Sequence, residues 1–285
     1  MFRIFEKQQL GPRMHLMRVA APLIARKAEP GQFVIVRTCE TGERLPLTIA
    51  DFERDAGVIT MVFQEMGKGT QLLARLGAGD DIPDVLGPQG VPTETHPAGG
   101  GIFVVVGGGI GIAPVYPLAR KLSAEGNRVI AVIGYRSREY VFWEERMRAV
   151  SRELLIATND GSYGRKGMVT DILAEVIARP ERPDCVYAIG PAVMMKAVAD
   201  LTRPSGIPTI VSLNSLMVCG MGMCGACRVT VGGKTRFTCM DGPDFDGHQV
   251  DFAELMQRLA TYQAEEQLSA SAVSCARKGG DHHGR

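Results

Sequence analysis

An antiparallel β-barrel, a doubly wound parallel α/β sheet and a small cysteine-rich C-terminal unit, in that order, are the fold this 285-residue sequence predicts. Short turn-bounded apolar segments fill the first third. MHLMRVAAP (14–22), QFVIVRT (32–38), LPLTIADF (45–52) and GVITMVFQEM (57–66) are separated by turn signals at Pro30-Gly31, Asp55-Ala56-Gly57 and, further on, Gly79-Asp80-Asp81. Short strands at such close spacing predict a barrel. THPAGGG (95–101) reads as a linker. Beyond it the pattern changes. IFVVV (102–106), RVIAVIGY (128–135), LLIATND (154–160) and CVYAIG (185–190) are near-continuous apolar runs, as strands buried on both faces require. Between and after them lie the helix-like PVYPLARKLSAEG (114–126), EYVFWEERMRAVS (139–151), MVTDILAEVIA (168–178) and PAVMMKAVADLT (191–202). Strand alternating with helix predicts a parallel sheet. IPTIVSLNSL (207–216) leads out of it into the cysteines, and VDFAELMQRLATYQAEEQ (250–267) predicts one amphipathic helix covering the cysteine region or a partner. The expected boundaries are 1–96, 97–212 and 213–285.

The cysteine run carries the most chemistry. Cys219, Cys224, Cys227 and Cys239 are spaced C-x4-C-x2-C-x11-C. The first three match plant-type [2Fe–2S] spacing, with the fourth thiolate arriving from a later segment. Gly220, Gly222 and Gly225 alternate with them and permit the positive φ angles that wrap backbone N–H groups around sulfur. A structural zinc site is the alternative, but zinc usually takes two C-x2-4-C knuckles and Cys239 stands alone. A disulfide framework fits worse, because the chain is large and the N-terminus MFRIFEKQQL has no signal-like apolar run. Seven cysteines without such a run fit a reducing cytoplasm; Cys39, Cys185 and Cys275 receive no role, and Cys185 reads as core. A net charge of +1, with 45% hydrophobic and 22% charged residues, gives no sign of nucleic-acid binding, and no apolar run is long enough to span a membrane. The tail ARKGGDHHGR (276–285) reads as a frayed polar end; its paired histidines are a weaker candidate for metal.

Three loops suit phosphate binding. GGGIGIAPVYPLAR (107–120) follows a buried strand and opens a helix, so Gly107, Gly108, Gly109 and Gly111 let backbone approach a pyrophosphate, and Pro114 is tolerated in the first turn. The spacing is not G-x-G-x-x-G. Gly190, Pro191 and Met194 in IGPAVMMKAV repeat the logic, and Asp160 and Gly161 lie at a third strand end. Each is an ordinary loop taken alone; together, beside an electron-transfer centre, they favour a dinucleotide in one crevice at the strands' C-terminal ends. Arg136, Ser137 and Arg138 follow the second parallel strand and suit either a 2′-phosphate or a solvated surface. In the barrel, RLPLTIAD (44–51) and GKGT (67–70) place a basic residue, a hydroxyl and a glycine turn near strand ends, which suits a phosphorylated flavin without establishing one.

GKGT, GGGIGIAPVYPLA, NDGSYG, IGPAVMM and the cysteine run, in this order along the chain, resemble the ferredoxin reductase-like flavoproteins with a C-terminal [2Fe–2S] domain. Two relatives stand out: the small subunit of NADH-dependent ferredoxin:NADP oxidoreductase (sulfide dehydrogenase) and the electron-transfer subunit of dihydroorotate dehydrogenase. DGPDFDGHQVDFAELMQRLATYQ (241–263) is most similar to the first. Cys219 is more similar to the second, because some ferredoxin:NADP small subunits have aspartate there. The resemblance implies an FAD barrel, an NAD(H) domain with NADP(H) as the other option, and a cluster domain. It places Pro46, Leu47 and Thr48 on one flavin-contacting strand, Val62, Phe63 and Gln64 on the next, and Gly69 and Thr70 at the flavin pyrophosphate turn. Where the family often has arginine this chain has Leu45, with Arg44 beside it as substitute. It further implies electron transfer between NAD(P)H and a larger partner, glutamate synthase-like or a dihydroorotate dehydrogenase catalytic subunit. No acid–base pair is required, and Asp160, Asp244, Asp246 and His248 read as loop and turn residues rather than catalytic ones.

Overall fold

A computed structural model describes the backbone of residues 1–95 and 99–277, with side chains to 271. The first sheet takes β1 (Phe2–Gly11), β2 (Met14–Ala20), β3 (Phe33–Arg37), β4 (Leu45–Glu53), β5 (Val58–Gln64), β6 (Asp81–Ile82) and β7 (Asp84–Gln89), in the order β6-β1-β2-β5-β4-β3-β7. All its pairs are antiparallel, and it curls into a nearly closed barrel. Short helices α1 (Pro22–Lys27) and α2 (Lys68–Leu73) interrupt it. The core includes Ile4, Met17, Val34, Val36, Ile49, Ile59, Met61 and Phe63. The four strands expected from the turn signals are present. β1 was not expected, because FRIFEKQQLG is exposed or half-buried except at Ile4 and lacks a buried stripe; it is held by pairing with β2 and β6 rather than by apolar patterning.

The second sheet has β8 (Ile102–Gly108), β9 (Arg128–Tyr135), β10 (Glu153–Thr158), β11 (Arg165–Lys166), β12 (Cys185–Ile189), β13 (Thr209–Ser212) and, further along the chain, a last strand at Asp244–Asp246. The order is β11-β10-β9-β8-β12-β13 and then that last strand, which alone pairs antiparallel. Helices α3 (Ile112–Ala124), α4 (Glu144–Val150), α5 (Val169–Ile177) and α6 (Ala192–Thr202) supply the crossovers. The chain enters at β8, runs outward to β9 and β10, then returns to β12 on the other side. β8 and β12 therefore flank the topological switch point, where open α/β sheets bind ligands. α4 is shorter than the apolar pattern predicted. Trp143 takes φ 57°, in the left-handed region, so the chain is not continuously helical before Glu144.

The cysteine unit contributes the two-stranded ribbon β14 (Arg228–Val231) and β15 (Lys234–Phe237), the turn of helix α7 (Thr238–Asp241) and β16 (Asp244–Asp246), the last strand of the parallel sheet. The single C-terminal helix expected is two: α8 (Phe252–Leu259), capped by Asp251 accepting from the Glu254 N–H, and α9 (Gln263–Arg277). α8 buries Phe252 and Leu255 against the sheet core, whereas α9 lies by α2 of the barrel. The turn at 260–262 makes that change of direction. The histidine pair, and residues 96–98 of the expected linker, lie outside the described residues.

Candidate functional site

The cysteine loop is built as its glycines require. Gly220, Gly222 and Gly225 have φ of 71°, 80° and 66°. Their turns aim backbone N–H groups at sulfur: Met221 and Cys224 donate to Cys219 Sγ at 3.4 Å each, Gly222 to Cys239 Sγ at 3.2 Å, and Ala226 to Cys224 Sγ at 3.4 Å. Burial opposes ionisation of Cys219, but the donors from Met221 and Cys224 outweigh it and hold that thiol down at about 6. Burial, with the Cys227 thiol alongside, pushes Cys239 up to about 12. Among the described residues no three His, Cys, Asp or Glu side chains form a group able to hold a single ion. The thiols stand instead as two pairs. Cys227 and Cys239 touch at 3.3 Å, and Cys219 lies beside Cys224. Two irons sharing two sulfides each need two thiolates, so this pairing fits a [2Fe–2S] group. Cys219, Cys227 and Cys239 are buried and Cys224 is exposed. Cys185 sits at the start of β12 in the core, where burial pushes its thiol up to about 12; Cys39 is exposed and remote in sequence from the loop.

The loop is docked on the barrel. Cys227 and Cys239 pack with Phe33 and Ile35 of β3, joined by Met217 and Phe237. A Cβ on Gly220 would come within 2.4 Å of Ile35 Cδ1. β3 pairs with β4 in the register Phe33↔Thr48, Val34↔Leu47 and Ile35↔Pro46, so the cysteine pair sits one strand from the expected flavin strand.

Of the expected flavin residues, Pro46, Thr48 and Gln64 are half-buried, while Leu47 and Phe63 turn into the barrel core. Val62 packs on the other side, into the core shared with the parallel sheet. In the glycine turn Thr70 accepts from the Met66 and Gly67 N–H groups, and the Gly69 N–H donates to the Glu43 carboxylate at 3.1 Å. That carboxylate shows that the turn presents an N–H to an anion, and a Cβ on Gly69 would strike it at 2.7 Å. The donor set thus fits a flavin phosphate. Arg44 is exposed next to it. Glu43 was not expected; its only sequence signal is adjacency to Arg44.

The nicotinamide loops converge at the switch point. A Cβ on Gly108 would meet Met194 Sδ at 2.4 Å and Pro191 Cδ at 3.3 Å, and one on Gly111 would meet the Ile189 carbonyl oxygen at 2.2 Å. Gly107 is closed off by Ile112, and Pro114 sits buried in the first turn of α3. Gly190 approaches the Gly108 Cα at 3.2 Å measured from its own Cβ position. Gly109, at φ 56°, has nothing within 4 Å of its Cβ position, so it borders open space at the crevice. Asp160 and Gly161 lie at the same sheet edge, two strands away from β8. The Asp160 carboxylate accepts from the Ser162 hydroxyl and N–H, which hold it below the usual range. The Ser162 hydroxyl also accepts from the Arg138 N–H at 2.8 Å. Asp246 accepts from the His248 N–H, and the Thr202 hydroxyl contacts the His248 ring at 2.9 Å.

A cavity of about 570 Å³ opens at the opposite, N-terminal edge of the sheet, among Val91, Phe103, Tyr187 and Asp244. Its position away from the loops marks it as the seam where barrel, sheet and cysteine unit meet. There the Thr93 hydroxyl donates to Asp244 at 2.5 Å, and burial raises that carboxyl. The barrel is also tied to the sheet by Asp51 of β4, whose two oxygens lie 2.7 Å from Arg120 and 3.2 Å from Arg146.

Comparison with known proteins agrees with this geometry. Residues 214–251 match the iron–sulfur cluster binding domain of dihydroorotate dehydrogenase B, and residues 105–200 match the oxidoreductase NAD-binding domain. The zinc and disulfide alternatives for the cysteine run fall away with that match. A Thermotoga maritima protein described as a dihydroorotate dehydrogenase B (NAD(+)) electron transfer subunit homolog is 44% identical, covering 88% of each chain. The electron transfer subunit of dihydroorotate dehydrogenase B from Geobacillus thermodenitrificans is 37% identical, over 87% of this chain and 96% of its own length. A chain in the structure of NADH-dependent reduced ferredoxin-NADP oxidoreductase, described for flavin-based electron bifurcation, is 41% identical with a TM-score of 0.89, covering 95% of this chain and 97% of that one.

Proposed function

The chain belongs to the family of dihydroorotate dehydrogenase B electron-transfer subunits, and from that premise we propose that it passes electrons between NAD(H) and a larger partner subunit through FAD and a [2Fe–2S] cluster. The observation that carries this is the seating of the cysteine loop on β3, one strand from the glycine-turn barrel strands, with the nicotinamide loops of the same chain at the switch point. FAD, when bound, supplies the conversion between two-electron hydride transfer and single-electron transfer. The chain's own residues do the rest. Gly69, Thr70 and Arg44 hold the flavin phosphates, the β4 residues Pro46 to Thr48 and the β5 residues Val62 to Gln64 carry the ring, and Gly107 to Gly111 with Gly190, Pro191 and Met194 admit the dinucleotide. Cys219, Cys224, Cys227 and Cys239 hold the cluster. These roles follow the division at 1–96, 97–212 and 213–285.

The partner side is the exposed one. Cys224 is open to solvent, and the exposed Val218, Met223 and Met240 surround the loop. Arg228, Lys234 and Arg236 stand exposed on the adjoining ribbon. This apolar face with a basic margin fits a redox subunit with an acidic rim. We favour the ferredoxin:NADP exchange assembly with a glutamate synthase-like partner, supported by 41% identity over nearly both full chains. The all-cysteine ligand set and the 37% identical relative support the dihydroorotate reading. No helix among the described residues is long and apolar enough to cross a membrane. Seven cysteines, four of them read as cluster ligands, suit a reducing compartment, and on that ground we place the complex in the cytoplasm. Anaerobic purification with iron, sulfide and flavin analysis tests the proposal, followed by NADH addition with and without the co-purifying subunit. A flavin TIM-barrel partner selects the dihydroorotate reading and an iron–sulfur-rich one the exchange reading. Turnover of the physiological acceptor by this chain alone would overturn the subunit assignment.

A further inference from the structure

β3 is buried on both faces, and the two faces do different things. Val34 and Val36 fill the barrel core, whereas Phe33 and Ile35, each 4% exposed, face the Cys227–Cys239 pair. Those two side chains lie between the buried cysteines and the backbone of β3, which pairs with β4. The close fit at Gly220 leaves no room for water beside Ile35.

We propose that Phe33 and Ile35 are positioning residues for electron transfer: they form a dry wall that fixes the cysteine loop against the flavin strands and sets the reduction potential of the cluster. This rests on the cluster reading given above. The physical reason is charge. One-electron reduction adds a negative charge to the thiolate-held group without making or breaking a bond. Hydrocarbon stabilises the less charged oxidised form relative to the reduced one, and water or a hydroxyl does the reverse. Solvent exposure and hydrogen bonds to sulfur are recognised controls on such potentials. Here backbone donors supply the second, and β3 controls the first. The asymmetry is built in, because the Cys224 side of the loop is open and the Cys227–Cys239 side is sealed.

The test substitutes Ile35→Thr and compares it with Val34→Thr, a change of the same kind on the same strand facing the barrel core. Iron content and visible spectrum are measured first, in wild type. Their failure there defeats the cluster reading itself, separately from this one. Redox titration followed by electron paramagnetic resonance then gives the cluster midpoint. Ile35→Thr is expected to shift the reduction equilibrium about tenfold toward the reduced form, about 59 mV for one electron, with Val34→Thr near wild type. In the cluster-free chain, Ile35→Ala is expected to speed alkylation of Cys227 and Cys239 several-fold while leaving Cys224 unchanged. Equal midpoints in Ile35→Thr and Val34→Thr overturn the proposal. If Ile35→Thr does not retain iron, Ile35→Val and Phe33→Leu are titrated instead, and unchanged midpoints in both overturn it equally.

Discussion

Gly109→Val tests the nicotinamide crevice without disturbing the rest of the chain. Gly109 has φ 56°, and no heavy atom lies within 4 Å of where its Cβ would stand. The substitution therefore meets no wall, and its cost in the folded chain is conformational. Holding an L-residue in the left-handed region costs about 1–2 kcal/mol, with valine at the upper end because of its branched Cβ. A domain stable by roughly 5–15 kcal/mol tolerates that. The dinucleotide does not, because the new methyls project into the space where backbone must approach a pyrophosphate, and a loop that relaxes to negative φ withdraws its N–H groups. Regaining the loop geometry alone costs roughly 5- to 30-fold in affinity for 1–2 kcal/mol. Anaerobic NADH titration, read as bleaching of the flavin absorbance, should show at least tenfold weaker apparent binding with wild-type flavin and iron content. Gly111→Ala provides the contrast. Its Cβ would lie 2.2 Å from the Ile189 carbonyl oxygen, so α3 must shift off the end of β12 and the whole domain loses stability, by about 1–3 kcal/mol. Wild-type bleaching by Gly109→Val, or parallel loss of flavin and iron, would refute the reasoning.

Three other outcomes are expected. Cys224→Ser should disturb or lose the cluster, seen in iron content and visible absorbance, whereas Cys39→Ser, at an exposed thiol outside the loop, should leave both intact; identical iron content in the two variants counts against the ligand set. Burial raises the Asp244 carboxyl above its ordinary 3.8, so the stability of its neutral form is complete below that value and is lost as pH rises through the folded one; Asp244→Asn should therefore raise the thermal midpoint relative to wild type at pH 8 and not at pH 3.5, and an equal shift at both would sink the explanation. Asp51→Ala should cost about 1–3 kcal/mol in denaturant unfolding, toward the lower end because Arg120 and Arg146 are partly exposed and can rehydrate; an unchanged midpoint would show that the barrel and sheet do not depend on this contact.

The cysteine loop was readable from sequence because its chemistry is local. Four thiols sit with Gly220, Gly222 and Gly225 within one short run, and those glycines set the φ angles that the structure shows. The parallel sheet was readable for a related reason: strands buried on both faces must be apolar throughout, and β8 is. β1 was not, since its residues other than Ile4 are exposed or half-buried and its order comes from hairpin pairing with β2 and from β6, which leave no apolar stripe to read. The break between α8 and α9 was missed because Leu255, Leu259 and Tyr262 continue a helical spacing across it. Tyr262 is in fact exposed, so the pattern outlasted the buried stripe it was taken to mark. Glu43, Asp51 and Ile35 belong to a third kind. Each acts on residues distant in sequence: Glu43 on Gly69 within the barrel, and Asp51 on Arg120 with Arg146 and Ile35 on Cys227 with Cys239 across seams between the parts. Ile35 did leave a trace, because Phe33 to Val36 is apolar at every position. An antiparallel barrel strand with a solvated outer face would alternate, so the unbroken run signals that something covers the outside.

That covering explains why the cysteine unit is not merely appended. β16 pairs with β13 and extends the parallel sheet, α8 buries Phe252 and Leu255 in that sheet's core, and the loop itself lies against the barrel. The unit is therefore fixed to both of the other parts, by a ladder on one side and an apolar wall on the other. A rigid junction suits single-electron transfer inside the chain, where the separation between centres must not drift. It leaves one side uncommitted, the side with Cys224 and its methionines. Exposed apolar groups rimmed by polar residues mark interaction sites in soluble proteins. Packing thus closes the internal side of the loop, and the exposed side is the one that the proposed function gives to a second protein.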